Sequence, residues 1–252
     1  MTRYHYYASQ WLGRGQPFDS MPNDMGFHNL WRPQSRAEFY PPTLEKRWIK
    51  YNKWNHDSCV LCLPGRGNHG QELASAYKRQ GVKSFIVGIT PTIRSWYPMP
   101  NGINDQEEAV KGVMPAMAVI EEVLKLIENK RGIPRNRIVL VGHSAGAVMA
   151  IMTAVMSPTP FAGVISHNGA ILDPEAVPQC NCPDTPFFLA HSRDDLIFEW
   201  QERFIPMFTA LKNKGYKIYT DIEKDAGHCV TRRQFQIGKY LIEACLKQPT
   251  SP

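Results

Sequence analysis

The stretch Ile138-Val139-Leu140-Val141-Gly142-His143-Ser144-Ala145-Gly146-Ala147-Val148-Met149-Ala150 joins a β-branched, aliphatic run to a run of small residues. The first run is typical of a strand buried on both faces, and a helical pattern begins after Ser144 and extends to about Met156. The turn between them has the pattern Gly-x-Ser-x-Gly, in which a sharp strand-to-helix turn holds a serine in a strained conformation with its hydroxyl exposed. A side chain at Gly142 or Gly146 would collide with the neighbouring elements. We therefore predict a nucleophile elbow rather than a packing turn made of small residues.

The rest of the chain alternates predicted strands with predicted helices. Strands are predicted over residues 58–63, 83–90, 163–166, 187–190 and 217–221, with an edge strand over 47–51. Helices are predicted over residues 72–80, 104–130, 145–156, 200–213 and 231–246. The long helix is expected to start at a capping box formed by Asn104 and Glu107, and Pro115 is expected to kink it. This alternation indicates an α/β fold, with a mostly parallel central sheet and helices on both faces.

The first 56 residues differ in composition from the remainder of the chain, because they carry twelve aromatic side chains among prolines and asparagines. Such a segment is too aromatic to be disordered throughout, yet it shows no sustained helical period. We predict an aromatic-rich extension over residues 1–56, packed on a single catalytic domain over residues 57–252. Some of its aromatic side chains could wall a substrate pocket, although plain packing is the commoner use of such residues.

Composition excludes several classes of function. The 252-residue chain is 43% hydrophobic and 21% charged, and no stretch approaches the roughly 18 consecutive apolar residues of a membrane span. Residues 1–12 lack the apolar core of a secretory signal, so a cytoplasmic location is expected. The net charge is +6, but the lysines and arginines are scattered along the chain, which argues against a nucleic-acid partner. The six cysteines are expected to be mostly reduced.

Neither a metal nor a cofactor is predicted. The one arrangement that resembles a zinc site combines Cys180-x-Cys182 with Cys229. Its spacing is shorter than that of the usual zinc-binding pairs, and no fourth ligand is evident.

The order of polar residues after the elbow matches a serine-based catalytic triad. A serine hydroxyl needs a base to take its proton, and the base needs a carboxylate to orient it. After the strand over 187–190, a loop carries two adjacent carboxylates, Asp194 and Asp195, which spacing alone does not separate. After the strand over 217–221 comes His228, the only histidine downstream of that loop. We therefore predict Ser144 as nucleophile and His228 as base, against the alternative of a solvated loop histidine.

A glycine-rich turn, Pro64-Gly65-Arg66-Gly67, follows the first core strand. Hydrolases with an elbow place one backbone donor of the oxyanion hole in such a turn, and the other on the residue after the nucleophile. The predicted donors are the N–H groups of Arg66 and Ala145. Without the elbow, an ordinary strand-to-helix loop would be the preferred interpretation, and His69 in the same region is expected to be a solvated surface residue.

Together these motifs resemble the phospholipase/carboxylesterase family of α/β-hydrolases, which includes the acyl-protein thioesterases. The resemblance covers residues 57–247 and rests on the Pro-Gly-Arg-Gly loop, Trp96-Tyr97, Gly132-Ile133-Pro134-x-Asn136-Arg137-Ile138, the elbow, His191-x-x-x-Asp195 and Gly227-His228. It implies the α/β-hydrolase fold and places the acid on Asp195. The chain departs from the family pattern at Pro64, where histidine is usual, at His143 and Ala145 beside the nucleophile, and at Ser192, where glycine is usual.

The resemblance implies a serine hydrolase that cleaves carboxylic esters or thioesters through an acyl-enzyme. Gly65, Trp96 and Tyr97 are then the expected substrate-binding residues, with the two aromatic side chains on the acyl side. An acyltransferase or a peptidase on the same fold is the alternative, because fold and triad do not fix the acceptor. A non-catalytic binding module is disfavoured, since no triad member is missing. The expected partner is a small-molecule or lipid ester, and the oligomeric state, monomer or homodimer, stays open.

Overall fold

The computed structural model describes residues 57–91, 95–97 and 112–247, together with the backbone of residues 49–51 and 106–111. The strands are β1 (Ile49–Tyr51), β2 (Cys59–Leu63), β3 (Phe85–Gly88), β4 (Ile138–His143), β5 (Gly163–His167), β6 (Pro186–Ser192) and β7 (Lys217–Glu223). The α-helices are α1 (Gly70–Arg79), α2 (Gln106–Arg131), α3 (Ala145–Val155), α4 (Ile205–Asn213) and α5 (Arg232–Lys247). A 3₁₀ turn over Arg135–Arg137 precedes β4, and a π-helical turn over Trp200–Phe204 precedes α4.

The described strands form one sheet in the order β1-β3-β2-β4-β5-β6-β7. Strands β2 to β7 pair in parallel, and β1 pairs antiparallel with β3 at the edge, as predicted for the end of the 47–51 segment. The elbow strand β4 lies between β2 and β5, with Gly142 opposite Leu63 on one side and Ser166 on the other. The carboxyl ends of β2, β4, β5, β6 and β7 therefore meet at one edge of the sheet, where open α/β sheets place their ligand chemistry.

The two faces of the sheet bury two separate apolar cores. In β4, Ile138 and Leu140 pack on one face and Val139 and Val141 on the other, which is the alternation that a strand imposes. Side chains of α2, α3 and α4 cover the first face, and side chains of α1 and α5 cover the second. The predicted α/β-hydrolase architecture, a mostly parallel sheet with helices on both faces, is confirmed.

Several predicted strand ends are wrong. The strand predicted over 83–90 spans only Phe85–Gly88, and β7 extends beyond the predicted residue 221 to Glu223. Strand β6 continues to Ser192, so His191 and Ser192 lie in a strand rather than in the loop, because both are fully buried and β6 pairs with β7 as far as Ser192 and Glu223. The helix predicted over 200–213 is present with those bounds, but it begins as a π-helical turn and becomes α-helical only at Ile205. The proline that follows Ile205 has no N–H to donate to the preceding turn, which explains the break.

Several predictions fall outside the described residues. They include the packing of the extension over 1–48 and 52–56 and the capping box at Asn104. Helix α2 continues through Pro115 to Arg131, and Gly132, with φ of 65°, ends it. None of the helices in the described ranges combines the length and apolarity needed to cross a membrane.

Candidate active site

The backbone at Ser144 has the strained geometry of an elbow. Ser144 lies between β4 and α3 with φ of 54° and ψ of −125°, in the left-handed half of conformational space that residues other than glycine rarely adopt. A Cβ atom on Gly142 would overlap the backbone of Gly146 and Ala147, and one on Gly146 would overlap the backbone carbonyls of Leu63 and Pro64. The chain reverses so tightly here that glycine is required on both sides of the serine.

Three predicted residues from three loops form one hydrogen-bonded row. Ser144 Oγ lies 2.8 Å from His228 Nε2. On the other side of the imidazole, Nδ1 lies 2.8 Å from Oδ2 and 2.9 Å from Oδ1 of Asp195. The two carboxylate contacts place the Nδ1–H donor toward Asp195, which leaves Nε2 as the acceptor for the serine hydroxyl.

The two adjacent aspartates have different surroundings. Asp195 is buried, and its Oδ1 accepts hydrogen bonds from the N–H groups of Ile197 at 2.8 Å and Phe198 at 3.0 Å. Burial alone would raise the pKa of the Asp195 carboxyl, but the hydrogen bond and charge of His228 and the N–H groups of Phe198 and Ile197 outweigh it, so the pKa is lowered. The carboxylate is therefore ionised at neutral pH. Asp194 is exposed and contacts the main chain of the histidine loop instead.

Two further side chains hold the loop that carries His228. Ser192 Oγ accepts a hydrogen bond from Ala226 N–H at 3.0 Å, and Asp194 Oδ1 accepts one from Gly227 N–H at 2.9 Å. The Ser192 hydroxyl also donates to Asp194 at 2.5 Å. The serine that replaces the family's glycine thus helps to fix the loop, a contact that the sequence did not reveal.

Asn168 is a second residue that sequence reasoning missed. It directly follows β5, is fully buried, and has a φ of 50°, which asparagine tolerates better than most residues. Its side-chain Nδ2 lies 3.0 Å from Asp195 Oδ2 and 2.8 Å from the carbonyl oxygen of Gly227. A polar residue at the carboxyl end of a buried strand beside β4 was the signal that could have identified it.

The glycine-rich turn after β2 lies over the elbow. A Cβ atom on Gly65 would be 3.0 Å from His143 Nδ1 and 3.1 Å from Ser144 Cβ. Asn68 N–H donates to Gly65 O at 3.2 Å and closes the turn that carries Arg66. Ala145 begins α3, so its N–H belongs to the first helical turn, where amides have no acceptor within the helix. Burial lowers the pKa of Arg66, and nearby Tyr97 opposes that shift.

Trp96 and Tyr97 pack beneath this turn. Trp96 is fully buried, and its Nε1–H donates to Pro64 O at 2.8 Å. Tyr97 is 1% exposed, and its hydroxyl has no hydrogen-bond partner among the described residues. The contact of the pair with an acyl chain stays a prediction, and the contact shown is that of Trp96 with the main chain of the turn.

Other buried histidines surround the row, and burial keeps them neutral. Burial, together with His228 and His167, lowers the pKa of His143 well below its usual value, and the rings of His143 and His228 are 5.3 Å apart. Burial also lowers the pKa of His191, whose Nε2–H donates to Phe198 O at 2.8 Å and so supports the loop after Asp195. His228 is the histidine that reaches the serine.

The arrangement supplies a polarised serine hydroxyl, a base and an oriented carboxylate at the carboxyl ends of the parallel strands. All six cysteines are free thiols, as the composition suggested for most of them. The residues of the described ranges contain no group of three or more His, Cys, Asp or Glu side chains able to hold a metal ion.

Comparison with known proteins agrees with this geometry. The chain matches the phospholipase/carboxylesterase family model over residues 87–246. It is 28% identical over 170 residues to an acyl-protein thioesterase 1 from Yarrowia lipolytica, covering 58% of this chain and 72% of that protein. It is 25% identical over 149 residues to the esterase YpfH of Escherichia coli, covering 59% of this chain and 61% of the relative.

A solved structure shares the fold. The phospholipase/carboxylesterase from Dyadobacter fermentans superposes with a TM-score of 0.71 at 20% identity, over 81% of this chain and 99% of that chain. The family match covers more than half of the sequence and includes the elbow, the acid loop and the histidine loop. The chain therefore belongs to the phospholipase/carboxylesterase family, and it is a carboxylic ester hydrolase with the α/β-hydrolase fold.

Proposed function

We propose that the protein is a serine hydrolase that cleaves carboxylic esters or thioesters through a covalent acyl-enzyme. Ser144 is the nucleophile, His228 the general base and acid, and Asp195 the carboxylate that orients His228. The observation that carries this proposal is the continuous row of hydrogen bonds from Ser144 Oγ through His228 to Asp195.

Acylation starts with attack of Ser144 Oγ on the substrate carbonyl carbon, while the hydroxyl proton moves to His228 Nε2. The resulting imidazolium is stabilised by Asp195, whose lowered pKa keeps the carboxylate charged. The carbonyl oxygen becomes negatively charged, and the N–H groups of Arg66 and Ala145 are the proposed donors that bind it. When the tetrahedral species collapses, the bond to the alcohol or thiol breaks and His228 donates its proton to that leaving group.

Deacylation repeats the sequence with water. His228 takes a proton from water, the hydroxide attacks the acyl carbon, and Ser144 leaves with the proton that His228 returns. The half-buried Ser144 lies beside Gly65, so an acyl group bound there would contact the turn that carries Arg66. Because the Yarrowia relative is an acyl-protein thioesterase, thioester substrates should be tested beside oxygen esters. We also propose a cytoplasmic location, which the six free thiols support.

The test combines a serine-directed probe with turnover. Wild type and Ser144→Ala are treated with a fluorophosphonate and analysed by intact mass, then assayed on p-nitrophenyl esters from acetyl to palmitoyl and on matched thioesters. We expect one adduct in the wild type and none in Ser144→Ala, with kcat lower by about 10³-fold or more in the variant.

Ser157→Ala is the matched control. Ser157 is buried and lies just beyond the far end of α3, at the opposite edge of the sheet from the half-buried Ser144. Its adduct and kcat should equal those of the wild type. Near-normal turnover in Ser144→Ala would contradict the proposed mechanism, and transfer of the acyl group to added alcohols in preference to water would instead indicate an acyltransferase.

A further inference from the structure

Asn168 connects the acid and the base of the row through a single amide group. Its Nδ2 lies within hydrogen-bonding distance of Asp195 Oδ2, at 3.0 Å, and of the carbonyl oxygen of Gly227, at 2.8 Å. Both partners can only accept, so the NH₂ group must face them, and each of its two hydrogens serves one acceptor. Gly227 directly precedes His228 in the chain.

The main chain around Asn168 is held by the same elements. Asn168 N–H donates to Ala190 O of β6 at 2.8 Å, and the preceding carbonyl, His167 O, accepts from Ser144 N–H at 2.9 Å. The residues at the end of β5 are thus bonded to the elbow and to the strand before the acid. Through the Asn168 amide they are also bonded to the acid itself and to the histidine loop.

Both oxygens of Asp195 contact the imidazole of His228, at 2.9 Å for Oδ1 and 2.8 Å for Oδ2, but their other hydrogen-bond donors differ. Oδ1 is fixed by the N–H groups of Ile197 and Phe198, in its own loop. For Oδ2, the hydrogen-bond donors are Asn168 and the imidazole of His228, while His191 Nε2 lies beyond hydrogen-bonding distance at 4.0 Å. Removing the amide would leave His228 as the remaining hydrogen-bond donor to that buried oxygen among the described residues, and it would release the carbonyl next to His228 as well.

We propose that Asn168 is a positioning residue of the triad. It holds the Asp195 carboxylate and the His228 loop at their mutual distance, so that the imidazole is oriented before substrate binds. This inference rests on the proposed function, because it requires that Asp195 and His228 act together on Ser144. Asn168 does not reach Ser144 Oγ or the substrate carbonyl in this role.

Two substitutions separate positioning from space filling. Asn168→Gly keeps the left-handed backbone, with φ of 50°, and removes the amide. Asn168→Asp keeps the size and tolerates the same backbone, but at pH 8 it turns a carboxylate toward two acceptors. Positioning predicts that both variants lose kcat, and that the loss in the glycine variant, which adds no charge, largely disappears when Asp195 is already replaced by Asn. A nearly normal aspartate variant would instead show that the side chain only fills space.

The experiment measures kcat and KM for p-nitrophenyl butyrate at pH 8, with active sites counted from the end point of fluorophosphonate labelling. We expect kcat to fall about 10–100-fold in both variants, the loss typical of a hydrogen bond to a charged group, while KM changes less than about threefold. Asn181→Gly is the matched control, since this exposed asparagine precedes the amino end of β6 at the opposite edge of the sheet. It should leave kcat unchanged.

A second arm tests the link to the acid. In an Asp195→Asn background, Asn168→Gly should lower kcat by a much smaller factor than in the wild type, because the carboxylate that it positions is gone. Equal factors in both backgrounds, or a nearly normal Asn168→Asp enzyme, would overturn the inference. Ser144→Ala is measured alongside: if that variant is inactive while the Asn168 variants are normal, only the positioning role fails, and if it remains active, the proposed function fails.

Discussion

Replacing Trp96 by phenylalanine perturbs the turn beside the nucleophile without touching the nucleophile. The indole Nε1–H donates to Pro64 O at 2.8 Å, and Gly65 and Arg66 follow Pro64 directly. Phenylalanine fills most of the same space but offers no donor. The carbonyl of a buried proline would then lose its partner, which costs about 1–3 kcal/mol when nothing replaces the bond.

This loss can act on stability or on catalysis, and both effects can be measured. If the turn stays in place, the whole cost lowers the free energy of unfolding. If the turn shifts to find another donor, Arg66 N–H leaves its proposed position, and losing one oxyanion donor completely lowers kcat by about 10²–10³-fold. A partial shift should therefore lower kcat by about 10–100-fold, with little change in KM because the developing charge exists only in the transition state.

Tyr97→Phe is the matched control for Trp96→Phe. Both side chains are almost fully buried and adjacent, but the Tyr97 hydroxyl has no hydrogen-bond partner in the described part of the chain. Its removal should leave kcat unchanged and stability equal or slightly higher. The assays are kcat and KM on p-nitrophenyl acetate and butyrate, and urea unfolding of the same samples. A Trp96→Phe enzyme that is destabilised yet keeps kcat within twofold of the wild type would refute the coupling between this indole and the oxyanion turn.

Two further predictions concern folding. Gly146→Ala should lower the free energy of urea unfolding by more than about 3 kcal/mol, because the added Cβ would overlap backbone carbonyls. Gly132→Ala is the comparison: its φ is 65° and its added Cβ would have no neighbouring atom within 4 Å, so it should cost only about 1–2 kcal/mol of backbone strain. Equal losses in the two variants would contradict the packing argument. Burial lowers the pKa of His167 to about 3, so its contribution to stability is present above about pH 6.5 and is lost as the pH falls toward 3. Between pH 7 and pH 5 the free energy of unfolding of the wild type should fall by about 2 kcal/mol more than that of His167→Gln. If the two plots of unfolding free energy against pH run parallel, His167 is protonated in the folded protein.

Features that depend on a few consecutive residues could be predicted from the sequence. The elbow is one of them, since the aliphatic run, the two glycines and the small-residue helix lie within thirteen residues. The order of strands and helices could be predicted for the same reason, because each pattern repeats within one element. The roles of Ser144, Asp195 and His228 remain predictions, although the structure brings the three side chains into one hydrogen-bonded row.

Features set by contacts between distant segments could not be predicted in this way. Asp194 and Asp195 are chemically identical neighbours, and only the fold turns one toward His228 and the other toward Gly227 N–H. The end of β6 was misplaced because His191 and Ser192 look like loop residues. His191 is buried against Phe204, with ring centroids 4.6 Å apart, a contact that no local pattern indicates.

Asn168 shows why such residues escape prediction from local patterns. Its surroundings come from three neighbouring strand ends, and the chain distances to its side-chain partners are 27 residues to Asp195 and 59 to Gly227. Parallel strand order nevertheless constrains the search, because residues that follow β4, β5, β6 and β7 must share one edge of the sheet. Once an elbow fixes β4, polar residues just beyond the adjacent strands become candidates for the support of the triad. That rule depends on topology rather than on spacing in the sequence, so it can be applied only after the strand order is known.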